Sequence, residues 1–202
     1  MSTTTRRLLL AAPVALGLGL LARPARAADP EGATAFVDAM LRELLAIANG
    51  NQPVAAKRAA LARVVEARVN LDAVARFCLG RFWRTATPQQ QADYTQQFRR
   101  WLIRSVSDKV GEYQGVTYTM GRATRREGDI SVSTVVNRPG NAPNRVEWVV
   151  DAEGPPMVID VIAEGTSLRL TQRSDYASFL SRNGNNVQAL IDALRQQAAA
   201  AG

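Results

Sequence analysis

The chain has 202 residues, of which 25 are basic and 18 acidic, and its formal net charge is +7. It contains no histidine and one cysteine, Cys78. The absence of histidine excludes Ser-His-Asp and Cys-His catalysis and histidine-ligated zinc or haem, which leaves carboxylate, lysine or tyrosine chemistry. The apolar neighbours of Cys78 indicate a buried thiol, and a single cysteine forms no intramolecular disulfide. We therefore expect no catalytic residue, no cofactor and no metal site.

The first 27 residues have the organisation of an export signal. The pair Arg6-Arg7 precedes an apolar run over residues 8–21, and Ala25-Arg26-Ala27 fits the small-residue cleavage pattern. The run of roughly 14 apolar residues is shorter than the ~20 needed to span a membrane, which argues against a retained anchor. We predict a signal peptide over residues 1–27. The arginine pair favours the twin-arginine route, with Sec export as the alternative.

Removal of this segment changes the charge of the protein. Four arginines and no acidic residue leave with it, so 21 basic residues stand against 18 acidic residues and the net charge falls to +3. The remaining arginines are spread along the chain, whereas nucleic-acid binding needs a clustered basic patch. We expect no nucleic-acid partner. About 175 residues, over 28–202, predict one domain with a sizeable core.

The predicted elements of the first part of this domain are helices. Asp29-Pro30-Glu31 opens the first helix, which ends at Asn49-Gly50. A second helix begins at Pro53, and Asn70 caps a short third helix. Thr87-Pro88-Gln89-Gln90 then combines an N-cap, a proline at the first helical position and a glutamine at the third. This cap predicts the start of a further helix.

The helix that follows is long, amphipathic and aromatic on one side. Tyr94, Phe98, Trp101 and Leu102 belong to a stripe that recurs at steps of three and four residues and continues to Tyr113. The spacing predicts one helix of about 25 residues. Its stripe either packs on a sheet as core or also forms one wall of a cavity, and the sequence leaves both interpretations open.

After Gly115 the apolar period changes to two, which is typical of strands. Four strands are predicted, roughly over residues 116–121, 130–137, 145–151 and 157–162, and short turns join them into an antiparallel meander. In the last two strands both parities are apolar, so we expect these strands to be covered on both faces. Two further helices, near residues 174–180 and 186–194, close the chain.

Two motifs, together with this order of elements, resemble the MlaC family of periplasmic phospholipid-binding proteins, also called toluene-tolerance proteins. The motifs are Leu79-Gly80-x-x-Trp83-Arg84-x-Ala86-Thr87-Pro88 and Asp160-x-Ile162-Ala163-Glu164-Gly165-x-Ser167-Leu168. The resemblance covers nearly all of residues 28–202. It implies an α+β fold in which a curved antiparallel four-stranded sheet packs against one long helix and several shorter helices and encloses an apolar cavity.

The resemblance also implies a function. A member of this family is a soluble periplasmic lipid carrier, not an enzyme, that encloses phospholipid acyl chains and shuttles lipid between the outer and inner membranes, which supports outer-membrane lipid asymmetry. The implied partners are phospholipid, an inner-membrane ABC transporter complex with a lipid-binding subunit, and an outer-membrane lipoprotein complex. We expect a monomer. Because one branch of the family is associated with hopanoid lipids, a hopanoid or another non-phospholipid ligand is the alternative.

We expect nine side chains to line the lipid slot. Seven come from the sheet and the strand that ends it, and two come from the long helix: Val132, Val146, Trp148, Ile159, Val161, Thr166 and Leu168, with Phe98 and Leu102. The family has an aliphatic residue at the position of Thr166, so this departure predicts a more polar or differently shaped slot. Asp160 is interpreted as a satisfied polar residue near the rim or a hydrogen-bond anchor for the Gly165 turn.

Two other functions stay open on the sequence alone. An enzyme of the ketosteroid-isomerase kind holds a carboxylate and a tyrosine in a cone-shaped apolar cavity, and Asp160, Glu147, Tyr118 and Tyr94 supply those residue types. No spacing in the sequence brings such a pair together. An assembly module, by contrast, would bury its apolar faces against another protein and form stable oligomers.

Overall fold

A computed structural model describes residues 29–200 of the chain. Its helices are α1 (Pro30–Asn49), α2 (Val54–Arg68), α3 (Leu71–Leu79), α4 (Pro88–Ser107), α5 (Leu168–Arg182) and α6 (Val187–Ala200). Its strands are β1 (Thr117–Arg126), β2 (Asp129–Asn137), β3 (Asn144–Val150), β4 (Val158–Ala163) and β5 (Thr166–Ser167). The predicted signal peptide lies outside the described residues. Within residues 29–200, no helix combines the length and the apolar character needed to cross a membrane.

Three of the predicted helix starts, at Asp29, Asn70 and Thr87, are confirmed by their capping hydrogen bonds. The side-chain oxygens of Asp29 and Asn70 each accept a hydrogen bond from the backbone N–H three residues further on, at 2.7 and 3.1 Å. At α4 the Gln90 N–H donates to the Thr87 hydroxyl at 3.2 Å, and the Thr87 N–H donates to the Gln90 side chain at 3.1 Å. This reciprocal capping box satisfies two N–H groups that the first turn of a helix leaves without partners.

The strands form one open antiparallel sheet in the order β1-β2-β3-β4-β5. The α+β class is therefore confirmed, but the sheet has five strands instead of the four predicted. The chain reverses after β4 through Glu164 and Gly165, whose φ angles of 51° and 81° are both in the left-handed region. The reversal lets the two residues of β5 pair with the end of β4. A strand of two residues is too short for a periodic pattern to reveal.

One side of the sheet, here called the inner face, packs against α1. Val132, Trp148 and Val161 pair across β2, β3 and β4 as one row of this face. Because side chains alternate along a strand, the neighbouring row of Val146 and its partners points to the same side. Helix α1 covers the β1–β2 part of the face and forms a buried cluster with it, made of Ala33, Val37, Leu41, Ile130, Val132, Val150 and Ala152.

Helix α4 does not cover the sheet as predicted. Its α-helix ends at Ser107 and a short 3-10 turn follows at Val110–Tyr113, so the regular helix is shorter than its aromatic stripe suggested. Its main neighbours are α2, α3 and α6. Tyr94 and Phe98 belong to a core formed by α3 to α6, here called the helical core. The stripe shows which face of a helix is buried, but it cannot show whether the partner is a sheet or other helices.

Candidate functional site

Trp148 holds a central place on the inner face, in the row between Val132 and Val161. Its indole N–H donates to the Thr134 hydroxyl at 3.0 Å, and that hydroxyl donates to the Val146 carbonyl at 3.2 Å. Thr134 is almost fully buried, at 1% exposed. Because these hydrogen bonds satisfy the polar atoms of both side chains, this part of the sheet presents mainly hydrocarbon to whatever covers it.

Apolar side chains accumulate where the inner face meets α1 and α2, in a region here called the cleft. Its buried members are Met40, Val64 and Val158, and Phe36, Leu44, Ile47, Val69, Trp148 and Val161 pack against them while only half-buried. Several large apolar groups in contact with one another thus keep part of their surface open to solvent. A concave apolar surface of this kind is typical of a binding site for an apolar ligand.

A groove of about 660 Å³ between α1 and α2 continues this cleft. Ile47 and Val64 belong to both, so the groove and the cleft share one apolar floor. The rest of the floor consists of Ala46, Ala60 and Ala67. Because these side chains are small, they leave space between the two helices. The volume lies in the range of roughly 300–1,000 Å³ that is usual for small-molecule sites.

The rim of the groove is polar and is formed by Glu43, Gln52, Arg63 and Arg68. Arg68 donates to the Glu43 carboxylate at 3.2 Å, and its guanidinium carbon lies 5.6 Å from the centre of the Phe36 ring. Phe36 in turn packs against the cleft. The cationic rim and the apolar floor are therefore directly adjacent.

Five of the nine predicted slot residues share the inner face. Val132, Val146, Trp148 and Val161 lie in two neighbouring rows of it, and Thr166 extends the Val146 row through Ala163 at the sheet edge. They differ in exposure, since Val132 is fully buried beneath α1, Val146, Trp148 and Val161 are half-buried, and Thr166 is exposed. Four of the five therefore keep part of their side-chain surface open to solvent.

The other four predicted slot residues lie elsewhere. Ile159 is buried at the irregularity between the Val150–Val158 and Val149–Asp160 pairs, outside the Val132 row. Leu168, predicted at the end of a strand, is the first residue of α5 and is 51% exposed, because Ser167 caps that helix. Phe98 and Leu102 lie in the helical core, where Phe98 contacts three other aromatic rings. Their expected place opposite the sheet is corrected because α4 packs on helices.

Asp160 lies on the opposite face of β4, where it acts as the predicted hydrogen-bond anchor. Its carboxylate accepts from the Ser167 hydroxyl at 2.6 Å and from the Arg169 N–H at 3.1 Å, just after the Gly165 turn. The Arg169 side chain forms an ion pair with it at 3.4 Å and lies over the Phe77 ring at 4.4 Å. These contacts fix the start of α5 against the sheet, and the motif from Asp160 to Leu168 therefore has a structural role.

The four residues considered for a carboxylate–tyrosine enzyme, Asp160, Glu147, Tyr118 and Tyr94, do not meet one another. The Tyr94 hydroxyl donates to the Ala75 carbonyl inside the helical core at 3.0 Å. Glu147 accepts from Ser131 on the face of the sheet opposite Tyr118. The Tyr118 hydroxyl donates to Asp38 at 2.7 Å and so ties β1 to α1. Each of these groups has its own structural partner.

Cys78 has the properties of a buried thiol, as predicted. It is 1% exposed in the helical core, and its thiol donates to the Arg169 carbonyl at 3.6 Å. Burial, with a smaller effect from Asp160, raises the pKa of the thiol from 9.0 to about 12. Thiolate, which is the nucleophilic form, is therefore scarce at neutral pH.

A second groove, of about 990 Å³, lies on another side of the molecule between α2, α3 and α4. Its walls carry Arg76, Arg99 and Arg100 together with Glu66 and Asp72, and Arg99 pairs with Asp72 at 3.7 Å. Its lining shares no residue with the cleft.

The sequence interpretation missed the helical side of the cleft. Phe36 and Leu44 stand out in the sequence as members of the apolar stripe of α1, and Val64 as a member of that of α2. Ile47 falls outside the stripe and is found only from the groove. The available signal was that α1 carries a broader apolar surface than the narrow face needed to cover a sheet.

Comparisons with known proteins bear on the family and the fold of the chain. The family model described as MlaC protein matches residues 34–196. The toluene tolerance protein ttg2D of Pseudomonas putida is 26% identical over 136 residues, which cover 66% of this chain and 63% of that protein's length. The solved structure of a phospholipid-binding protein from Ralstonia solanacearum, in complex with a phospholipid, superposes with a TM-score of 0.72 at 23% identity, over 83% of this chain and 97% of that chain.

Proposed function

Because the chain belongs to the MlaC family, we propose that it is a lipid carrier that binds the acyl chains of a phospholipid in the cleft between α1 and the inner face. The family points to a binding or transport protein and not to an enzyme. The shared fold of a protein that was solved with a bound phospholipid supports the choice of ligand.

The observation that carries this proposal is the half-buried apolar surface of the cleft. Trp148 and Val161 from the sheet and Ile47 from α1 keep part of their hydrocarbon surface open next to a groove of about 660 Å³. Each methylene group removed from water contributes about 0.8 kcal/mol, so the burial of two acyl chains of ordinary length against such a surface is strongly favourable. No fixed catalytic group is needed for this binding.

The same energetics define what a carrier must do. Exposure of both acyl chains to water would cost on the order of 25 kcal/mol, so a protein that moves lipid through water must cover nearly all of both tails. It must also hold them no more tightly than a membrane does, or release would stall. Branched and aromatic side chains whose polar atoms are already satisfied, such as those of the inner face, suit this kind of binding.

Membership of the family supports a proposal for the place and the partners of this transport. We place the mature chain, residues 28–202, in the periplasm after removal of a signal peptide over residues 1–27. There it carries phospholipid between the two membranes as a monomer and supports outer-membrane lipid asymmetry. Its partners are an inner-membrane ABC transporter complex with a lipid-binding subunit and an outer-membrane lipoprotein complex.

The test replaces an apolar residue of the cleft with a charged one. Val161→Asp places a carboxylate where the hydrocarbon tails would lie, and an unpaired charge in an apolar site is costly. We expect the variant to lose at least about tenfold in phospholipid retention, which corresponds to 1.4 kcal/mol. Retention is measured by extraction and mass spectrometry of the purified mature chain, which also identifies the lipid.

The matched control is Val135→Asp, which makes the same change on the opposite face of the sheet, where Val135 is 41% exposed. This variant should retain lipid like the unaltered chain. If Val161→Asp impairs folding, Val146→Trp adds bulk without charge on the inner face, two residues along β3 from Trp148, and should also reduce retention. Equal retention by the unaltered chain and both variants would contradict the proposal, as would copurification of a sterol-like ligand alone.

A further inference from the structure

We infer that Arg63 and Arg68 on the groove rim bind the phosphate of the lipid headgroup, and that these two residues make the cleft prefer a phospholipid over a neutral lipid with the same tails. This inference rests on the proposed function and specifies the ligand class of the same site. It requires three features. Cationic hydrogen-bond donors must lie at the mouth of the groove, an apolar surface must connect them to the cleft, and some of their N–H groups must have no other partner.

Arg68 provides the first feature in a fixed position. Its guanidinium lies over the Phe36 ring, 5.6 Å from the ring centre, and donates one hydrogen bond to Glu43 at 3.2 Å. A guanidinium has five N–H donors in a planar fork that matches phosphate oxygens. The contacts with Phe36 and Glu43 orient this fork and leave most of its donors unused.

Arg63 adds a second cation on the same helix. Ala60, Val64 and Ala67 form the α2 part of the groove floor, and Arg63 and Arg68 lie on the two flanks of this stripe at helical spacing. Arg63 is exposed and makes no hydrogen bond or ion pair with any other residue among those the structure describes. Its donors are therefore available to a ligand.

The apolar path begins directly beneath these arginines. Phe36, which carries the Arg68 guanidinium on its ring, also packs in the cleft beside Trp148. Val64, one residue from Arg63, is part of both the groove and the cleft. A lipid with its phosphate at the rim thus has its glycerol at Phe36 and Val64 and its tails directed toward the inner face.

The carboxylate of Glu43 partly offsets the positive charge of the rim. It is the one acid in the lining of this groove, and its carboxylate would repel a phosphate held by Arg68. Removal of its charge should therefore strengthen the binding of an anionic lipid. The site offers variants that shift affinity in opposite directions, which a general loss of structure cannot imitate.

The experiment compares two lipids with identical tails. Delipidated mature chain is titrated with fluorescently labelled dioleoylphosphatidylglycerol and with labelled dioleoylglycerol, which lacks the phosphate. The double variant Arg63→Gln/Arg68→Gln should bind the phosphatidylglycerol at least about tenfold more weakly and the dioleoylglycerol unchanged, as expected for the loss of a charge-assisted hydrogen bond. Glu43→Gln should bind the phosphatidylglycerol about threefold more tightly.

The control is Arg58→Gln, which removes an arginine of α2 that pairs with Asp108 at 3.5 Å and does not line the groove. It should bind both lipids like the unaltered chain. If the unaltered chain binds neither lipid, the proposed function fails. If it binds both and the double variant keeps full affinity for phosphatidylglycerol, the headgroup inference alone is overturned.

A free phosphate is the other possible source of the same chemistry. Inorganic phosphate and glycerol 3-phosphate at millimolar concentration should not displace the labelled phosphatidylglycerol, because most of its affinity comes from the tails. Displacement by either anion, with little effect of tail length, would show a site for soluble phosphates and would overturn the inference that the phosphate belongs to a lipid.

Discussion

The helical core and the cleft are built from similar apolar side chains, but they are closed to different degrees. In the helical core, Tyr94, Phe98 and Leu180 are at most 1% exposed, and Tyr176 contacts the rings of three neighbours. In the cleft, Phe36, Trp148 and Val161 remain half-buried beside a groove. An aromatic stripe is therefore no guide to a ligand site unless its surroundings leave it partly uncovered.

The difference has a physical cause in the partners that each region receives. Four helices surround the helical core and bury its side chains almost completely. On the sheet, α1 covers the β1–β2 part closely, and the cleft is bordered by α2 across a line of alanines. The first region stabilises the fold, and the second keeps apolar surface available for binding.

The largest expected contrast between the two regions is in thiol labelling. Cys78 is buried in the helical core with its pKa raised to about 12 from 9.0, so its thiolate fraction at neutral pH is about a thousandfold lower than that of an ordinary thiol. In a Val146→Cys variant that retains Cys78, we expect a maleimide to label position 146 at least about a thousandfold faster. Mass spectrometry of the peptides over time measures both rates.

Bound lipid sharpens this measurement. Phospholipid should slow the labelling of position 146 and leave that of Cys78 unchanged, because only the former lies on the inner face. Labelling of Cys78 stays slow until the pH approaches 12 or the helical core opens. Equal rates at the two positions in the native chain would refute the contrast between a closed and an open region.

The next largest effect concerns stability. Phe98→Ala removes a ring that packs 5.5 Å from Trp101 and 5.9 Å from Tyr94, and should lower the free energy of unfolding by about 3–5 kcal/mol. Phe36→Ala, at a half-buried position, should lower it by about 1–2 kcal/mol. Urea unfolding of delipidated protein gives both values. Phospholipid binding by the folded fraction should weaken only for Phe36→Ala, and the reverse result would place the site in the helical core.

The smallest effect tests the connection between the two regions. Asp160 holds α5, which contributes Tyr176 and Leu180 to the helical core, against strand β4 of the sheet. Asp160→Asn keeps the shape of the side chain but removes its charge, and should lower the free energy of unfolding by about 1–3 kcal/mol. Asp108→Asn, which breaks exposed ion pairs, is the control and should cost less than about 1 kcal/mol. If thermal unfolding shows that the two variants lose the same free energy of unfolding, this role of Asp160 is contradicted.

Local chemistry made much of the fold predictable. The helix caps at Asp29, Asn70 and Thr87 are predictable because each depends on one hydrogen bond between a side chain and a backbone N–H three residues further on. The shared face of Val132 and Thr134 in β2, and of Val146 and Trp148 in β3, follows from alternation along the predicted strands. The same holds for the buried thiol of Cys78 and for Asp160 as an anchor.

Long-range packing was not predictable in the same way. The stripe of α4 indicated burial, but nothing local showed that α6 and not the sheet would cover Phe98. Leu168 looked like the end of a strand because the two-residue β5 and the Ser167 cap leave no periodic trace. The α1 side of the cleft, with Ile47, depends on how closely two helices approach, which the sizes of facing side chains determine only in three dimensions.

The indole of Trp148 gives the molecule an optical reporter of its own occupancy. Its N–H donates to Thr134, which fixes the orientation of the ring, and the side chain is only partly buried against the cleft. Trp83 and Trp101 pack against the helical core and supply a constant background. The fluorescence emission of Trp148 therefore moves to shorter wavelength when a ligand displaces water from the ring. Binding and release of the ligand can be followed in this way without a dye.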